Sequence, residues 1–401
     1  MSRVRPALAV LLLVVASATA GLAAAGSVSA PAAPVEPGDD PVVGVSENST
    51  RVLLLTNADA AAFAEPSASV TDALSSGHTS LTATFSHLRV DARLEAARNA
   101  SQRRTILVNA TNWAESRVNA LLQREQEARA AFQAGEITAA EYVQTLGTIH
   151  AKATELERYL GSPASGTGLY GYAESNDLEA ITTRINLLRL QLATLSGPVR
   201  GRIAAVVKGD RESLRVHVTT GNGIMLSTLE DGTYVRETVR QDNFDEARSS
   251  THLSSTELMR SLYPWAFNNT KGYSLSFFGA YGYFFEIDHQ YGSVSSYVDW
   301  STTRVFVEYQ EKNLDQISPV YEYTASANNT TLLVSRTYAG GPVNVRVENA
   351  TGAPLDAMVT LNGTALGETG ADGELWALSP AGEYPVRVVS GDVRLAVNVT
   401  A

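Results

Sequence analysis

Histidine and carboxylate side chains are the groups in this sequence that could carry acid–base chemistry or bind a metal ion. The chain has six histidines and no cysteine. No two histidines have the HxxxH or HExxH spacing that places two metal ligands on one face of a helix. His289 is the histidine best placed for chemistry, because Asp288 precedes it and Tyr291 follows closely. We interpret it as a polar residue at a hairpin turn.

Motifs for nucleophilic catalysis and nucleotide binding are missing or lack their structural context. The sequence has neither a GxSxG nucleophile elbow nor a P-loop. Residues 166–171 have the form GxGxxG. A dinucleotide site needs a strand before this motif and a helix that opens within it. Here a helical segment and Ser162-Pro163 come first, so the sequence favours a flexible loop.

Carboxylates form two small groups that we also interpret as structural. Asp288 and Asp299 could act as a pair, but acids at strand ends are ordinary in a chain with a net charge of -11. Asp242, Asp245 and Glu246 lie close together without the ordered ligand spacing of a calcium loop. We therefore predict no catalytic residue, no cofactor and no metal site, and a hydrolase that uses His289 is the alternative.

Length, composition and charge limit the classes of partner and fold. The 401 residues suffice for two or three domains, and 44% of them are hydrophobic. The absence of cysteine excludes disulfides and thiolate metal sites. The acidic balance argues against nucleic acid and against an anionic membrane surface as partners. Few lysines beside many alanines and acids suggest a halophilic source, and a GC-rich genome is the alternative explanation of the arginine and alanine bias.

The N-terminus has the pattern of a secretory signal peptide, predicted at residues 1–26. Arg3 and Arg5 precede a run of small and apolar residues at 7–26. Cleavage is expected to leave a first residue within 21–31. An uncleaved membrane anchor is the alternative, because the run approaches the roughly 20 residues that span a bilayer. Either way the sequence predicts an extracellular or cell-surface location.

Glycosylation sequons agree with export. The pattern N-x-S/T marks an acceptor asparagine in an exported protein. The candidates are Asn48, Asn99, Asn109, Asn268, Asn328, Asn329, Asn349, Asn362 and Asn398. They are spread along the whole chain, so we expect some of them to carry glycans.

A disordered linker at 27–40 is expected to lead into a helical region at 41–198. This region should contain one strand, at 50–55, and then an antiparallel helical hairpin or bundle with heptad-like seams. Thr138 and Glu141 form a capping box for one of its helices. We interpret each apolar stripe as core. The first of them consists of Leu74, Leu81, Phe85, Leu88 and Ala92.

The segment 199–325 is expected to be a central α+β module. Tyr281, Tyr283, Phe285 and Ile287 alternate with other residues, as one face of a strand does. Two more alternating rows follow, and a helix is predicted before them at residues 255–265, capped by Ser254 or Ser255. A helix on three or four antiparallel strands is a small α+β unit. The order resembles the PepSY-like modules of secreted and membrane-attached proteins over residues 256–310. Earlier strands near 213–240 either extend this sheet or form one beside it.

The segment 326–401 is expected to be an all-β sandwich. Short strands alternate with turns such as residues 362–363 and 370–373. The run from 345 to 388 resembles transthyretin-like or carboxypeptidase-regulatory-like sandwiches. The whole order of parts resembles a group of uncharacterised secreted proteins of halophilic archaea. We also expect the helical region and this sandwich to fold independently, with proteolytic cuts near 27–40 and 326–339.

The sequence thus predicts a multidomain α+β protein without enzymatic activity. Its expected function is that of a secreted or cell-surface glycoprotein with a structural or protein-interaction role. The alternative is an extracellular peptide-binding or protease-regulating protein, which the PepSY-like resemblance implies. The expected partner is a surface protein or a peptide. Contact with a membrane is expected only through an uncleaved N-terminal segment.

Overall fold

The computed structural model describes residues 53, 55, 60–247 and 254–400 of the chain. The predicted signal peptide, the linker and Asn48 lie outside these residues, as does most of the strand predicted at 50–55. The chain is a multidomain α+β protein, as predicted: helices come first, antiparallel strands follow, and an all-β sandwich comes last. No helix in the described part of the chain has both the length and the apolar character to cross a membrane.

Helices form the first part of the described chain. They are α1 (Val70–Ala96), α2 (Ala100–Gln133), α3 (Ala139–Leu160), α4 (Gly168–Glu174), α5 (Glu179–Ala193) and α6 (Pro198–Lys208). The α3 helix starts at the predicted capping box, in which Thr138 and Glu141 accept each other's backbone N–H. Gly135 and Gly161 have positive φ angles of 72° and 73° and end α2 and α3.

The apolar stripes of α2, α3 and α5 meet in one buried core. Each stripe repeats every three or four residues, so its members lie on a single helix face. The contributors include Leu107, Ala114 and Val118 of α2, Ile149, Ala153 and Leu156 of α3, and Ile185, Leu188 and Leu192 of α5. These stripes are core, as predicted. The stripe of α1 is not, and is described with the candidate site.

One strand before the helices and seven after them form a single eight-stranded antiparallel sheet. Its strands are β1 (Ala60–Ala64), β2 (Val216–Thr220), β3 (Ile224–Glu230), β4 (Thr233–Val239), β5 (Thr270–Phe277), β6 (Gly282–His289), β7 (Gly292–Asp299) and β8 (Val305–Asn313). Their spatial order is β1-β2-β3-β4-β8-β7-β6-β5. The strands near 213–240 therefore extend the central sheet, because β4 pairs with β8.

Helices and sheet share a hydrophobic core. The members from the helices include Phe132, Tyr142, Leu146, Val199 and Ile203, and those from the strands include Val216, Leu226 and Val235. In addition, β1 precedes the helices in sequence and pairs with β2, which follows them. Burial and strand pairing therefore both cross the boundary that the sequence analysis placed at residue 198.

Two short helices, α7 (Ser255–Leu262) and α8 (Pro264–Asn268), precede β5. Ser254 caps α7, as predicted, because its hydroxyl accepts the N–H of Glu257. The prediction that one helix extends to residue 265 was wrong. Pro264 is the first residue of a second helix, a position where the missing N–H of proline costs nothing.

The C-terminal sandwich consists of two four-stranded sheets. One contains β9 (Tyr323–Ala327), β10 (Thr330–Ser335), β11 (Pro342–Asn349) and β14 (Glu374–Leu378); the other contains β12 (Met358–Leu361), β13 (Thr364–Glu368), β15 (Glu383–Ser390) and β16 (Val393–Thr400). Their inner faces form one core, with Val334, Val345, Val359, Tyr384 and Val386 among its members. The sequence analysis missed β9, β10 and β13.

The predicted cleavage segment 326–339 is mostly paired in a sheet, which limits access by a protease, and cleavage there stays a prediction. Its residues belong largely to β9 and β10, which pair with each other and with β11. The sandwich also contacts the central sheet: Ser227 Oγ donates to the carbonyl of Gly340 at 2.5 Å, and the hydroxyls of Tyr234 and Tyr338 are 3.0 Å apart. A protease should therefore find a better substrate in residues 318–322, which lie between β8 and β9 outside any strand.

Candidate functional site

The exposed face of α1 is the strongest candidate for a functional surface. Leu74, Leu81, Phe85 and Leu88 of this helix are 70%, 60%, 68% and 56% exposed. We call these four residues the α1 seam. The sequence analysis placed them in the core, and the structure places them in solvent. Large apolar patches on a protein surface mark binding sites for other molecules.

The opposite side of α1 holds it to the protein. Ala83 and Val90 are its buried apolar residues. At its N-terminus, the Ser69 hydroxyl accepts the N–H of Asp72, and the Asp72 carboxylate accepts a hydrogen bond from Gln144 of α3 at 2.9 Å. Near its C-terminal end, Tyr172 of α4 donates to Asp91 at 2.6 Å. Because these contacts fix the rotation of α1, they also fix the seam in solvent.

A trough runs beside the seam, between α1, α2 and α3. Its volume is about 340 Å³, and its floor includes Ala83, Leu121 and Leu156. Three cationic side chains surround the floor, those of Arg117, Arg124 and Lys152, and His78 lies beside them. Farther along α1, a second groove against α2 adds Arg89 and Arg93. We call this concave surface the cationic trough.

The cations of the trough lack the carboxylate partners that other arginines of the chain have. Arg89, Arg93, Arg117, Arg124 and Lys152 form no ion pair with any residue in the described part of the chain. Elsewhere, buried arginines are paired, as in Arg200–Glu237 and Arg236–Glu308.

Two acids stand at the trough. Glu155 lines it and pairs with Arg158 at 2.5 Å, and Asp72 accepts a hydrogen bond from Gln144 and also interacts electrostatically with Arg124 and Lys152. The pKa of Lys152 is lowered, first by burial and then by the positive charge of Arg124, and Asp72 offsets only part of this effect. Positive charge therefore predominates in this concave surface, although the chain as a whole carries -11.

The aromatic wall of the trough comes from Trp113 of α2. Its ring packs edge-on against Tyr159, with centroids 5.0 Å apart, and the Arg117 guanidinium lies 5.5 Å from the indole centroid. A cation over an aromatic face is held electrostatically by the ring. The indole thus fixes Arg117 at the rim, where its N–H groups can meet an anionic ligand.

The residues that the sequence singled out for catalysis do not come together. His289 ends β6 and is buried, with its ring edge-on to Trp265 at 5.2 Å and Nδ1 accepting the N–H of Tyr291 at 3.2 Å. Asp299 lies at the other end of the β6–β7 hairpin, opposite Gly282. There it accepts hydrogen bonds from Ser301, from the N–H of Thr302 and from the N–H of Asp245.

The acidic cluster and the glycine motif also have structural roles. Asp242 binds Arg240 at 2.6 Å, and Glu246 accepts a hydrogen bond from Gln191 at 2.5 Å. Gly168 begins α4, and α3 precedes the motif instead of a strand. The prediction of a loop over 166–171 was therefore wrong for residues 168–171, which belong to α4. Among the described residues, no group of three or more histidines and acids is arranged to hold a metal ion.

The predicted glycosylation sites lie mostly in solvent. Asn99, Asn109, Asn268, Asn328, Asn329, Asn362 and Asn398 are exposed, whereas Asn349 is half-buried. Asn99 caps α2 through its side-chain oxygen, and Asn349 accepts three hydrogen bonds within its own turn. Exposure permits modification of these asparagines, which stays a prediction.

The cationic trough was missed by sequence reasoning, although a signal was present. Arg117 and Arg124 are separated by one heptad on α2 and therefore share a helix face. Their spacing alone does not show that α1 and α3 bring His78 and Lys152 to the same place. That proximity depends on the tertiary packing of three helices.

Comparisons with known families divide the chain much as the fold does. A sequence model described as a domain of unknown function, DUF7096, matches residues 1–212. A family of unknown function, DUF7094, matches residues 216–318, and the archaeal fibronectin-III type-like domain matches residues 321–397. No curated protein matches the chain. Because the first match covers more than half of the residues, the chain belongs to the DUF7096 family, with an archaeal fibronectin-III type-like sandwich at its C-terminal end.

Proposed function

We propose that this chain is a non-catalytic, secreted or cell-surface glycoprotein with a protein-interaction role, and that the α1 seam is its contact surface. The observation that carries the proposal is the exposure of four large apolar side chains on one helix. Transfer of an apolar side chain out of water contributes about 1.5–3 kcal/mol. Because the four seam side chains are already partly buried, a partner that covers them gains less than this from each, and association itself costs free energy.

The rest of the chain supports an extracellular setting. Fibronectin-type sandwiches are common in cell-surface proteins, and the C-terminal match is to an archaeal domain of this type. The N-terminal signal pattern, the absence of cysteine and the exposed sequons are consistent with export by an archaeal cell. The halophilic source and the resemblances to PepSY-like and transthyretin-like modules remain predictions.

The cationic trough favours the alternative function, extracellular peptide binding, which is a special case of a protein-interaction role. A concave surface beside an exposed apolar helix can take an extended or helical peptide. Extracellular peptide binding, with or without regulation of a protease, is therefore the second candidate. The absence of enzymatic activity is proposed because the catalytic candidates, His289 and Asp299, are separated along a hairpin.

Site-specific cross-linking tests the proposed contact. The chain has no cysteine, so a Leu81→Cys variant carries one unique thiol in the seam. It would be labelled with a photoreactive group and incubated with intact cells of the source. We expect an adduct with another protein from the seam position and none from Asp392→Cys, which lies in the exposed β15–β16 turn. Absence of an adduct at the seam, or equal adducts at both positions, would contradict the proposal.

A further inference from the structure

The geometry points to the chemistry of the partner: we infer that the α1 seam and the cationic trough together bind an acidic amphipathic helix of another protein. This inference rests on the proposed function and adds to it the charge and the secondary structure of the partner. In the bound state, apolar side chains of the partner helix cover the seam. Its carboxylates meet the arginines and the lysine of the trough.

The width of the seam indicates a helix as the occupant. Leu74, Leu81 and Leu88 follow one another at seven-residue intervals, and Phe85 lies between the last two. This is the a/d spacing of a coiled coil, and polar residues such as Thr82 and Thr84 flank it. A seam confined to a and d positions is narrower than the apolar face of a helix that is embedded in a core. Two or three helical turns of a partner would cover it.

The charges beside the seam indicate the sign of the partner. Arg117 and Arg124 are one heptad apart on α2, about 10 Å along its axis. Carboxylates one heptad apart on a helix that lies along the seam would match this distance. Lys152 contributes a third cation from α3. Because none of the three has an ion-pair partner among the described residues, an incoming carboxylate breaks no ion pair of the described chain.

A second copy of this chain fits the site poorly. Its α1 carries Arg89 and Arg93 among Asp72, Asp91 and Glu95, so it would bring both signs of charge to the arginines of the trough instead of the uniform negative charge that they match. A membrane surface fits poorly as well. An interfacial helix needs a broad apolar face, whereas here the seam is narrow and the cations lie in a concavity.

The test measures binding of a synthetic helical peptide with leucine at its a and d positions and glutamate at the flanking positions. A matched peptide carries lysine in place of each glutamate. Fluorescence anisotropy with the whole chain is expected to show binding of the glutamate peptide and at least tenfold weaker binding of the lysine peptide. The complex should be weaker in about 1 M salt than in about 0.1 M salt, because the Debye length falls from about 10 Å to about 3 Å.

Charge-reversal variants test whether the cations of the trough bind the glutamates of the peptide. Replacing both arginines (Arg117→Glu with Arg124→Glu) is expected to weaken the glutamate peptide at least tenfold and to improve the lysine peptide. The matched control, Arg387→Glu with Arg394→Glu, makes the same change in net charge on exposed positions of the sandwich and should leave both affinities unchanged. Lys152→Gln provides a milder variant, and circular dichroism checks that each variant is folded.

Each outcome of these binding experiments supports or refutes the inferred partner. Equal binding of the two peptides, or equal effects of the trough and control variants, would refute an acidic partner but would leave the seam as a contact surface. Binding of anionic vesicles without binding of the peptide overturns the protein partner, and dimerisation that a Leu81→Ser variant abolishes makes the occupant a second copy. Displacement of the peptide by equimolar phosphate shows a small-anion site and also refutes the inference. If Leu81→Ser leaves peptide affinity unchanged, the proposed function itself fails.

Discussion

The contact between α6 and β4 provides a quantitative test of which interactions hold the helices against the sheet. The Glu237 carboxylate of β4 accepts the N–H of Val199 at 2.9 Å and of Arg200 at 3.2 Å, and it pairs with the Arg200 guanidinium at 3.0 Å. Gly197 has no side chain with which to cap α6, so a residue far away in sequence caps it instead. Arg200 and Glu237 are both about 1% exposed.

Truncation by Glu237→Ala should be costly for two reasons. It leaves the Arg200 guanidinium buried without its carboxylate, which costs about 3–5 kcal/mol. It also removes the cap of α6, which costs about 1 kcal/mol. We expect a loss of about 4 kcal/mol or more, seen as a fall of roughly 8–16 °C in the melting temperature of the helix–sheet unit. The control Glu374→Ala breaks the half-exposed Arg346 pair and should cost at most about 1 kcal/mol.

Gly197 makes the prediction sharper. A Cβ atom at this position would lie 2.1 Å from Glu237 Oε2, so Gly197→Ala forces the carboxylate away and should cost about 1–3 kcal/mol. In a Glu237→Ala background the clashing group is gone, and the same change should cost almost nothing. Urea unfolding followed by tryptophan fluorescence measures the cost of Gly197→Ala in the free energy of unfolding, in the parent chain and in the Glu237→Ala background. Equal costs of Gly197→Ala in the two backgrounds, or a cost below about 1 kcal/mol for Glu237→Ala, would refute this reasoning.

Further predictions concern the seam, the pH dependence of stability and the N-terminus. Leu81→Ser with Phe85→Ser should leave the free energy of unfolding within about 0.5 kcal/mol, because both side chains are already in solvent, whereas Leu156→Ala in the core should cost about 2–5 kcal/mol. Burial raises the pKa of Glu125 above its ordinary value of 4.5, although Arg129 opposes the effect. A raised pKa in the folded state means that the stability contributed by this group is present below pH 4.5 and is lost as pH rises through the folded pKa. Unfolding curves measured across pH should therefore show that the free energy of unfolding of Glu125→Gln increases relative to that of the parent chain as pH rises above 4.5. A difference between the two that stays constant with pH would contradict this. Mass spectrometry of the mature protein should find a first residue within 21–31, and an intact N-terminus in the membrane fraction would show an anchor instead.

The sequence predicted those elements whose signals are local. The capping box at Thr138 fixes the start of α3, and the alternation around Phe285 fixes β6, because each depends on residues close in the chain. The pairing of β1 with β2 joins residues that are far apart in the chain, and Ala60 lies 160 positions before its partner Thr220. No local pattern encodes such a pairing.

The candidate site was the part that local patterns predicted wrongly. The stripe through Leu81 and the stripe through Leu156 have the same periodicity, and only the second is buried. Amphipathicity shows that a helix has an apolar face, but the fold decides whether this chain or another molecule covers it. Glu237 shares a strand face with Val235 and Val239, and its carboxylate is buried there because α6 lies against it.

The most direct test of the central claim is the reactivity of a thiol in the seam. In purified Leu81→Cys protein, a maleimide should react at the rate of an exposed cysteine, whereas Val90→Cys on the buried side of α1 should react slowly. On the surface of living cells, the seam thiol should be protected, while Asp392→Cys reacts as fast as in the purified protein. If Leu81→Cys is labelled equally fast on cells and in isolation, no partner covers the seam, and the account of this protein as an interaction module through α1 is wrong.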